Sequence, residues 1–127
     1  MGYSHFVDHL VYRVHELART ERFYTALLGP PAHKTEDSLM YKAGITRLFF
    51  TLPIERQKKL HEKERIGLNH IAFGVRTPEE LEAIQIHLDK SGISHSGIQV
   101  DHYGSKEFIW IDDPDGMRVE FYLRSED

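Results

Sequence analysis

Three residues of this sequence carry side chains that bind divalent metal ions and lie in similar surroundings. His9 and His70 each stand second in an apolar, β-rich segment, DHLVYRV at 8–14 and NHIAFGV at 69–75. Glu120 lies in a third such segment, VEFYL at 119–123. Two imidazoles and one carboxylate can hold Fe2+, Mn2+, Ni2+, Co2+ or Zn2+ and leave positions open for substrate, water or dioxygen. The residue types therefore predict a metal site formed by His9, His70 and Glu120.

The two halves of the chain read alike. Each begins with one of the two histidine-containing segments, continues into a helical pattern and ends with about three short β-rich runs. RTERFYTALLG predicts a first helix with Phe23, Leu27 and Leu28 on its apolar face. Thr77 and Glu80 have the spacing of a capping box at the start of a second helix. The predicted order of elements in each half is β-α-β-β-β.

This repeat relates the candidate ligands to one another. Side chains alternate between the two faces of a strand, so each histidine shares a face with residues two and four positions further on. If the halves are related by a rough two-fold axis, His9 and His70 converge. Alignment of LFFTL (48–52) with VEFYL places Glu120 at the position of Phe49. Taken singly, such histidines are more often packed core residues and such a glutamate more often faces solvent, but the repeat favours a shared site.

Composition excludes several classes of function. The chain has 127 residues, 40% of them hydrophobic, which suits one compact domain. It has no cysteine, which excludes disulfides, cysteine-rich zinc sites and thiol nucleophiles. Its net charge is −4 and its basic residues are scattered, so it has no basic stripe for nucleic acid. The first residues lack the pattern of a secretion signal, and no apolar run reaches membrane-spanning length. We expect a cytoplasmic protein that binds neither nucleic acid nor membrane.

A polar segment divides the chain near its middle. The sequence ERQKKLHEKER at 55–65 is almost entirely charged or polar and predicts an exposed connection. We therefore predict a single domain over 1–127, with a first module at about 5–53, a linker at 54–66 and a second module at about 67–124.

These segments resemble the vicinal oxygen chelate superfamily, which includes glyoxalase I, extradiol dioxygenases, fosfomycin-resistance enzymes and bleomycin-resistance proteins. DHLVYRV followed by ERFYTALLG is similar to the family's opening strand and helix, GLNHIAFGV to its fifth strand, and DDPDGMRVEFY to its last hairpin. The resemblance implies an α+β fold in which two βαβββ modules form a cup of mixed β-sheet around a metal site. It also places His9, His70 and Glu120 on the family's metal ligands.

Departures from the family patterns narrow the expected reaction. Glyoxalase I has a further glutamate ligand on the fourth strand, where this chain has RLFFTLP with Phe49 and Phe50. Fosfomycin-resistance enzymes grip a phosphonate with basic residues near the C-terminus, where this chain offers Arg124. A three-ligand site without the fourth carboxylate resembles the extradiol pattern more closely.

The extradiol pattern also implies further site residues. In that pattern a histidine precedes an apolar-Tyr pair, a turn and the glutamate ligand. Here His102 precedes Ile109 and Trp110, and Trp110 stands where tyrosine is expected. The resemblance makes His102, with Tyr103 as a second candidate, the proton donor or orienting group. The substrate-lining candidates are Phe49, Thr51, Trp110 and Tyr122.

The resemblance thus implies an enzyme with one divalent metal ion. Fe2+ or Mn2+ is favoured, and Zn2+, Ni2+ and Co2+ are the alternatives. The first expected activity of the enzyme is that of an extradiol-dioxygenase-like oxidoreductase on a small molecule with vicinal oxygens. The alternatives are a glyoxalase-like lyase or isomerase, a fosfomycin-type thiol transferase, and a metal-free drug-binding protein. We expect a homodimer, because paired modules cover exposed sheet edges. The metal site forms within one chain or between two subunits.

Overall fold

The alternating apolar residues of the predicted strands form two four-stranded sheets in the computed structural model. The model describes residues 5–54, 59–102 and 104–126. The chain divides into two units, Met1–Lys59 and Leu60–Asp127. The elements of the first unit are β1 (His9–Arg13), α1 (Leu17–Leu28), β2 (His33–Lys34), β3 (Ser38–Ala43) and β4 (Thr46–Thr51). The elements of the second unit are β5 (His70–Val75), α2 (Pro78–Lys90), β6 (Gln99–Val100), β7 (Glu107–Asp112) and β8 (Arg118–Leu123). The predicted α+β fold of two βαβββ modules is confirmed.

Both sheets have the same mixed topology. Their strand orders are β1-β4-β3-β2 and β5-β8-β7-β6. In each, the first strand runs parallel to the last, and the remaining neighbours are antiparallel. Parallel neighbours need a crossover, which α1 begins in one unit and α2 in the other. The same order of elements therefore produces the same sheet twice.

Strand register relates the two sheets residue by residue. His9 pairs with Arg47 in the first sheet, and His70 pairs with Arg118 in the second. Two residues further on, the partner on the last strand is Phe49 in the first sheet and Glu120 in the second. The alignment that placed Glu120 at the position of Phe49 is thus the alignment of the backbone hydrogen bonds.

The second helix begins as its sequence predicts. The Thr77 hydroxyl accepts a hydrogen bond from the Glu80 amide, and the Glu80 carboxylate accepts one from the Thr77 amide, each at 3.1 Å. Pro78 occupies the first turn, where its missing N–H leaves no hydrogen bond unmade. Leu81 and Leu88 are fully buried, so this helix fixes one face of the second sheet.

The first helix differs in detail from its prediction. Its fully buried residues are Thr20 and Tyr24, while Phe23, Leu27 and Leu28 are half-buried. The Tyr24 ring lies 4.2 Å from that of Phe50, centroid to centroid. The helix is therefore rotated toward this aromatic cluster, and a tyrosine holds the central position that a purely apolar stripe does not identify.

Each helix covers one face of its own sheet, and the candidate ligands lie on the other face. In the strand that contains His9, the side chain of Tyr12 points to the opposite face and is buried. In the last strand, Val119 and Phe121 are buried on either side of Glu120. Among the described residues, neither helix is long and apolar enough to cross a membrane.

Candidate metal centre and substrate pocket

Small side chains on β5 open a pocket on the second sheet. Ala72 and Gly74 follow His70 on the same strand face, and an added Cβ at Gly74 would meet nothing within 4 Å. The pocket has a volume of about 570 Å³. Its lining consists of His70, Ala72, Gly74, Asp101, Phe108, Glu120, Tyr122 and Arg124. Pockets of this size hold small organic molecules.

Two of the three predicted ligands meet in this pocket. Nε2 of His70 lies 3.6 Å from Oε1 of Glu120. The Glu120 side chain is only 10% exposed, whereas the His70 side chain remains 39% exposed. Two ligand atoms on one transition-metal ion, each at about 2.1 Å, lie about 3.0–3.4 Å apart. The observed separation is slightly longer than that and too long for a hydrogen bond, so the pair fits a shared cation.

The hydrogen bonds around His70 fix which ring nitrogen can bind a metal. The Asn69 amide nitrogen donates to the Lys63 carbonyl at 2.7 Å, which turns its Oδ1 toward His70. That oxygen lies 2.8 Å from Nδ1 of His70 and can only accept, so Nδ1 carries the proton. Neutral His70 therefore presents an unprotonated Nε2 toward Glu120, as a metal-binding imidazole requires.

His9 has the same arrangement in the first unit. Its Nδ1 lies 2.8 Å from Oδ2 of Asp8, and this carboxylate oxygen accepts a hydrogen bond from the Nδ1–H group. The residue immediately before the histidine thus supplies the orienting oxygen in both units. Both neutral imidazoles leave Nε2 as the donor atom, and the sequence pairs Asp8-His9 and Asn69-His70 contain the signal for it.

The donor set fits a divalent transition metal. The second unit supplies an imidazole and a buried carboxylate, and the first supplies an imidazole. Among all the residues that the structure describes, no three His, Asp or Glu side chains lie close enough together to hold a metal ion.

Tyr122 forms the far wall of the pocket. Its hydroxyl donates to Oδ2 of Asp101 at 2.7 Å. This hydrogen bond, with smaller effects from burial and from the charge of Asp101, raises the pKa of the Tyr122 phenol above its ordinary value. A Cβ at Gly104 would lie 3.0 Å from the same hydroxyl, so the absence of a side chain there admits the pair. The phenol is uncharged at neutral pH.

The other predicted residues of the first unit lie on the same sheet face as His9. Phe49 contacts the His9 ring edge-on, with centroids 5.7 Å apart. The Thr51 hydroxyl accepts a hydrogen bond from the Arg13 guanidinium at 3.1 Å. Val11 and Arg13 stand where the second unit has Ala72 and Gly74. The larger side chains occupy the space that forms the pocket in the second unit.

Two further predicted residues of the second unit, Trp110 and His102, are not in the pocket lining. Trp110 pairs with Glu120 across two strands, but the Arg118 guanidinium covers its ring at 4.1 Å. His102 is exposed in a turn, and it is the preceding residue, Asp101, that lines the pocket. Tyr103 lies outside the residues that the structure describes.

Three polar or aromatic residues of the pocket lining were not predicted as lining residues from the sequence. Phe108 and Arg124 share a strand face with predicted residues, Phe108 two positions before Trp110 and Arg124 two positions after Tyr122. Continued alternation could have found both. Asp101 lies in a loop, and its contact with Tyr122 spans 21 residues, so no local pattern marks it.

Comparisons with known proteins agree with this architecture. The model of the Glyoxalase/Bleomycin resistance protein/Dioxygenase superfamily matches residues 6–121. The uncharacterized protein YaeR of Escherichia coli (strain K12) is 28% identical over 91% of this chain and 94% of its own. A glyoxalase family protein of Enterococcus faecalis is 27% identical with a TM-score of 0.70, covering 92% of this chain and 96% of that one.

A more distant structure shares the fold alone. The lactoylglutathione lyase of Agrobacterium tumefaciens is 17% identical, with a TM-score of 0.75 over 98% of this chain and 97% of its own. Together with the repeated βαβββ units, the match over residues 6–121 shows that the chain belongs to the Glyoxalase/Bleomycin resistance protein/Dioxygenase superfamily.

Proposed function

We propose that this protein is a metal-dependent enzyme that acts on a small molecule with vicinal oxygens. One divalent metal ion would be held by His9, His70 and Glu120. The observation that carries the proposal is the paired orientation of the histidines. The strand of each histidine pairs with the last strand of its sheet in the same register. In each histidine, Nδ1–H donates a hydrogen bond to the side chain of the preceding residue.

The orienting residues give each ligand a defined state. Asp8 and Asn69 hold the imidazoles in the tautomer whose Nε2 is free, which raises ligand basicity and limits ring rotation. Burial of Glu120 keeps water away from its carboxylate and strengthens its attraction for a cation. A bound metal ion would supply Lewis-acid stabilisation of two adjacent substrate oxygens.

The pocket next to the ligands suits a flat substrate. The Phe108 and Tyr122 rings lie nearly parallel, 30° apart with centroids 6.1 Å from each other, along one wall. On the neighbouring strand, Gly74 pairs with Tyr122 and leaves open space beside it. These residues would orient an aromatic or planar group and exclude water around it. The Tyr122 hydroxyl, held by Asp101, would offer its oxygen to a substrate proton donor.

Among reactions, an extradiol-dioxygenase-like ring cleavage is our first proposal. Its support is the three-ligand set with Phe49 in place of a fourth carboxylate, together with a pocket that suits a planar ring. The ion would be Fe2+ or Mn2+, and His102 and Tyr103 stay the candidate proton donors. A glyoxalase-like lyase or isomerase is the alternative, for which Asp101 would supply the second carboxylate of the pocket lining.

Metal binding tests the site directly. Trp110 is the only tryptophan and pairs with Glu120, so its fluorescence reports a paramagnetic ion such as Mn2+ or Co2+ bound nearby. We expect His70→Ala to weaken metal binding by more than about 100-fold, because losing a ligand costs more than losing its orienting partner. His33→Ala removes an exposed histidine of β2 and serves as the matched control. Equal metal affinity in both variants would contradict the site.

Oxygen consumption tests the reaction. Protein reconstituted with Fe2+ under anaerobic conditions should take up dioxygen when a catechol is added, and Glu120→Gln should abolish the uptake. No uptake over a broad panel of catechols by protein with a full complement of metal would exclude ring cleavage. It would then favour the lyase or isomerase alternative.

We also propose that the protein is a homodimer. Each four-stranded sheet has two edge strands, and unpaired sheet edges favour association with another chain. A dimer would let the His9 of one chain complete the site of the other. Light scattering after gel filtration measures the mass directly, and a monomeric mass would contradict this assembly.

A further inference from the structure

The pocket lining includes one guanidinium group, that of Arg124. Arg124 lines the pocket beside Tyr122, and its guanidinium lies 5.1 Å from the centre of the Tyr122 ring. No carboxylate among the described residues forms an ion pair with it, whereas the neighbouring Lys106 pairs with Glu126 at 3.7 Å. An exposed guanidinium positioned on an aromatic wall is suited to binding a carboxylate or phosphate through two parallel hydrogen bonds.

The backbone around Arg124 is fixed, although its side chain is exposed. The Arg124 amide donates to the Val75 carbonyl at 2.8 Å, and the Arg76 guanidinium donates to the Arg124 carbonyl at 3.2 Å. The residue therefore continues the pairing of β5 with β8 beyond the strand ends. Its position relative to Gly74 and Tyr122 is set by the sheet and not by a free chain end.

Local charge decides where on this wall an anion can lie. Asp101 is the acidic group at this end of the pocket, and it accepts the hydrogen bond of the Tyr122 hydroxyl. Arg124 instead covers the face of the same ring. An anion would be repelled at the hydroxyl edge and attracted at the ring face. The chain as a whole carries a net charge of −4, so general attraction of anions is not expected.

We propose that the pocket binds a small organic anion with a planar apolar part, whose charged group is held by Arg124. The apolar part would lie against Phe108 and Tyr122, over Gly74. Strand geometry places Arg124 four residues beyond Glu120, a backbone distance of about 13 Å. The orientation, with the anion away from His70 and Glu120, rests on the proposed metal site. The anion subsite itself does not.

The test compares phenylpropionate with its uncharged amide, because the two differ only in the charged group. Titrations followed in the amide NMR spectrum should show the carboxylate binding about fivefold more tightly than the amide, as expected for a charge pair at an exposed site. The signal of Gly74 should shift in both titrations. Arg124→Ala should abolish the preference, and Arg124→Lys should restore part of it.

Two further variants keep the result interpretable. Arg22→Ala removes the same charge from an exposed position in α1 and should leave the preference unchanged. Gly74→Leu should weaken both ligands, because its side chain fills the open space of the pocket. A preference that survives Arg124→Ala, or that Arg22→Ala reduces equally, would overturn the subsite.

Metal content separates this proposal from the proposed function. The preference should be the same in chelator-treated and metal-loaded protein if Arg124 holds the carboxylate. A preference that disappears with the metal and ignores Arg124→Ala would mean that the carboxylate binds the metal instead, which would refute the subsite and support the metal site. If the protein binds no metal but still prefers the carboxylate through Arg124, the proposed function is refuted and the anion subsite is not.

Discussion

Nε2 of His70 lies 3.6 Å from Oε1 of Glu120, and the opposite nitrogen of the same ring is bound by Asn69 at 2.8 Å. The pair joins two strands that are neighbours in the sheet but separated by 50 residues in the sequence. The imidazole is thus oriented from one side and presented to a buried carboxylate on the other. This relationship is the structural basis for the predictions on metal binding.

The orienting residues should matter even though they touch no metal. We expect Asn69→Leu to lower metal affinity by about tenfold, because His70 then loses the partner that selects its tautomer. Asn69→Asp should retain affinity, since a carboxylate accepts the same proton and Asp8 does so in the first unit. Asp8→Leu should reproduce the loss. Isothermal titration with Mn2+ measures each affinity, and unchanged values in both Leu variants would disprove the orienting role.

Two adjacent phenylalanines on β4 should contribute unequally to stability. Phe50 is fully buried and packs against Tyr24, so Phe50→Ala should lower the free energy of unfolding by about 3–5 kcal/mol. Phe49 lies on the other face and is half-buried, so Phe49→Ala should cost about 1 kcal/mol. Chemical denaturation followed by circular dichroism provides both values. Similar losses would mean that the two faces of the sheet are equally packed.

The capping box of α2 should contribute measurably to stability. Thr77→Ala removes the hydroxyl that accepts the Glu80 amide, and we expect a loss of about 1 kcal/mol in the free energy of unfolding. Thr77→Ser keeps an accepting hydroxyl and should lie near the natural protein. If serine is as destabilising as alanine, the effect does not come from the cap.

The hydrogen bond between Tyr122 and Asp101 should be detectable in the titration of the Tyr122 phenol at high pH. Hydrogen bonding to Asp101 raises the pKa of the Tyr122 phenol, so its phenolate should form above the ordinary value of 10.0. The hydrogen bond of the protonated phenol therefore stabilises the fold fully below the pKa that Tyr122 has in the unfolded chain. This stabilisation is lost as the pH rises through the higher pKa that Tyr122 has in the folded protein.

Absorbance titration can isolate this group among the six tyrosines. The difference between the natural protein and Tyr122→Phe gives the titration curve of Tyr122. Asp101→Asn should move that curve to lower pH, because it removes the negative charge that opposes phenolate formation. A curve that does not move would show that Asp101 is not the cause.

The repeat made much of the fold predictable. The two histidine-containing segments, the capping box at Thr77 and the alignment of Phe49 with Glu120 all follow from short-range patterns, because side-chain alternation and helix caps are local properties. The buried tyrosine of α1 was not predictable in this way. Tyr24 is central because Phe50 and Tyr41, far away in sequence, pack against it.

The sequence by itself identified His9, His70 and Glu120 as candidate metal ligands, and it placed the two histidines at equivalent positions in two similar modules. Strand periodicity also determined that His70 and Glu120 share faces with Ala72 and Tyr122. Only the tertiary structure decided that Asp101 rather than His102 lines the pocket, and that Arg124 forms no ion pair with the other residues that the structure describes. These facts depend on loop positions and on hydrogen bonds between residues distant in sequence, which no local periodicity records.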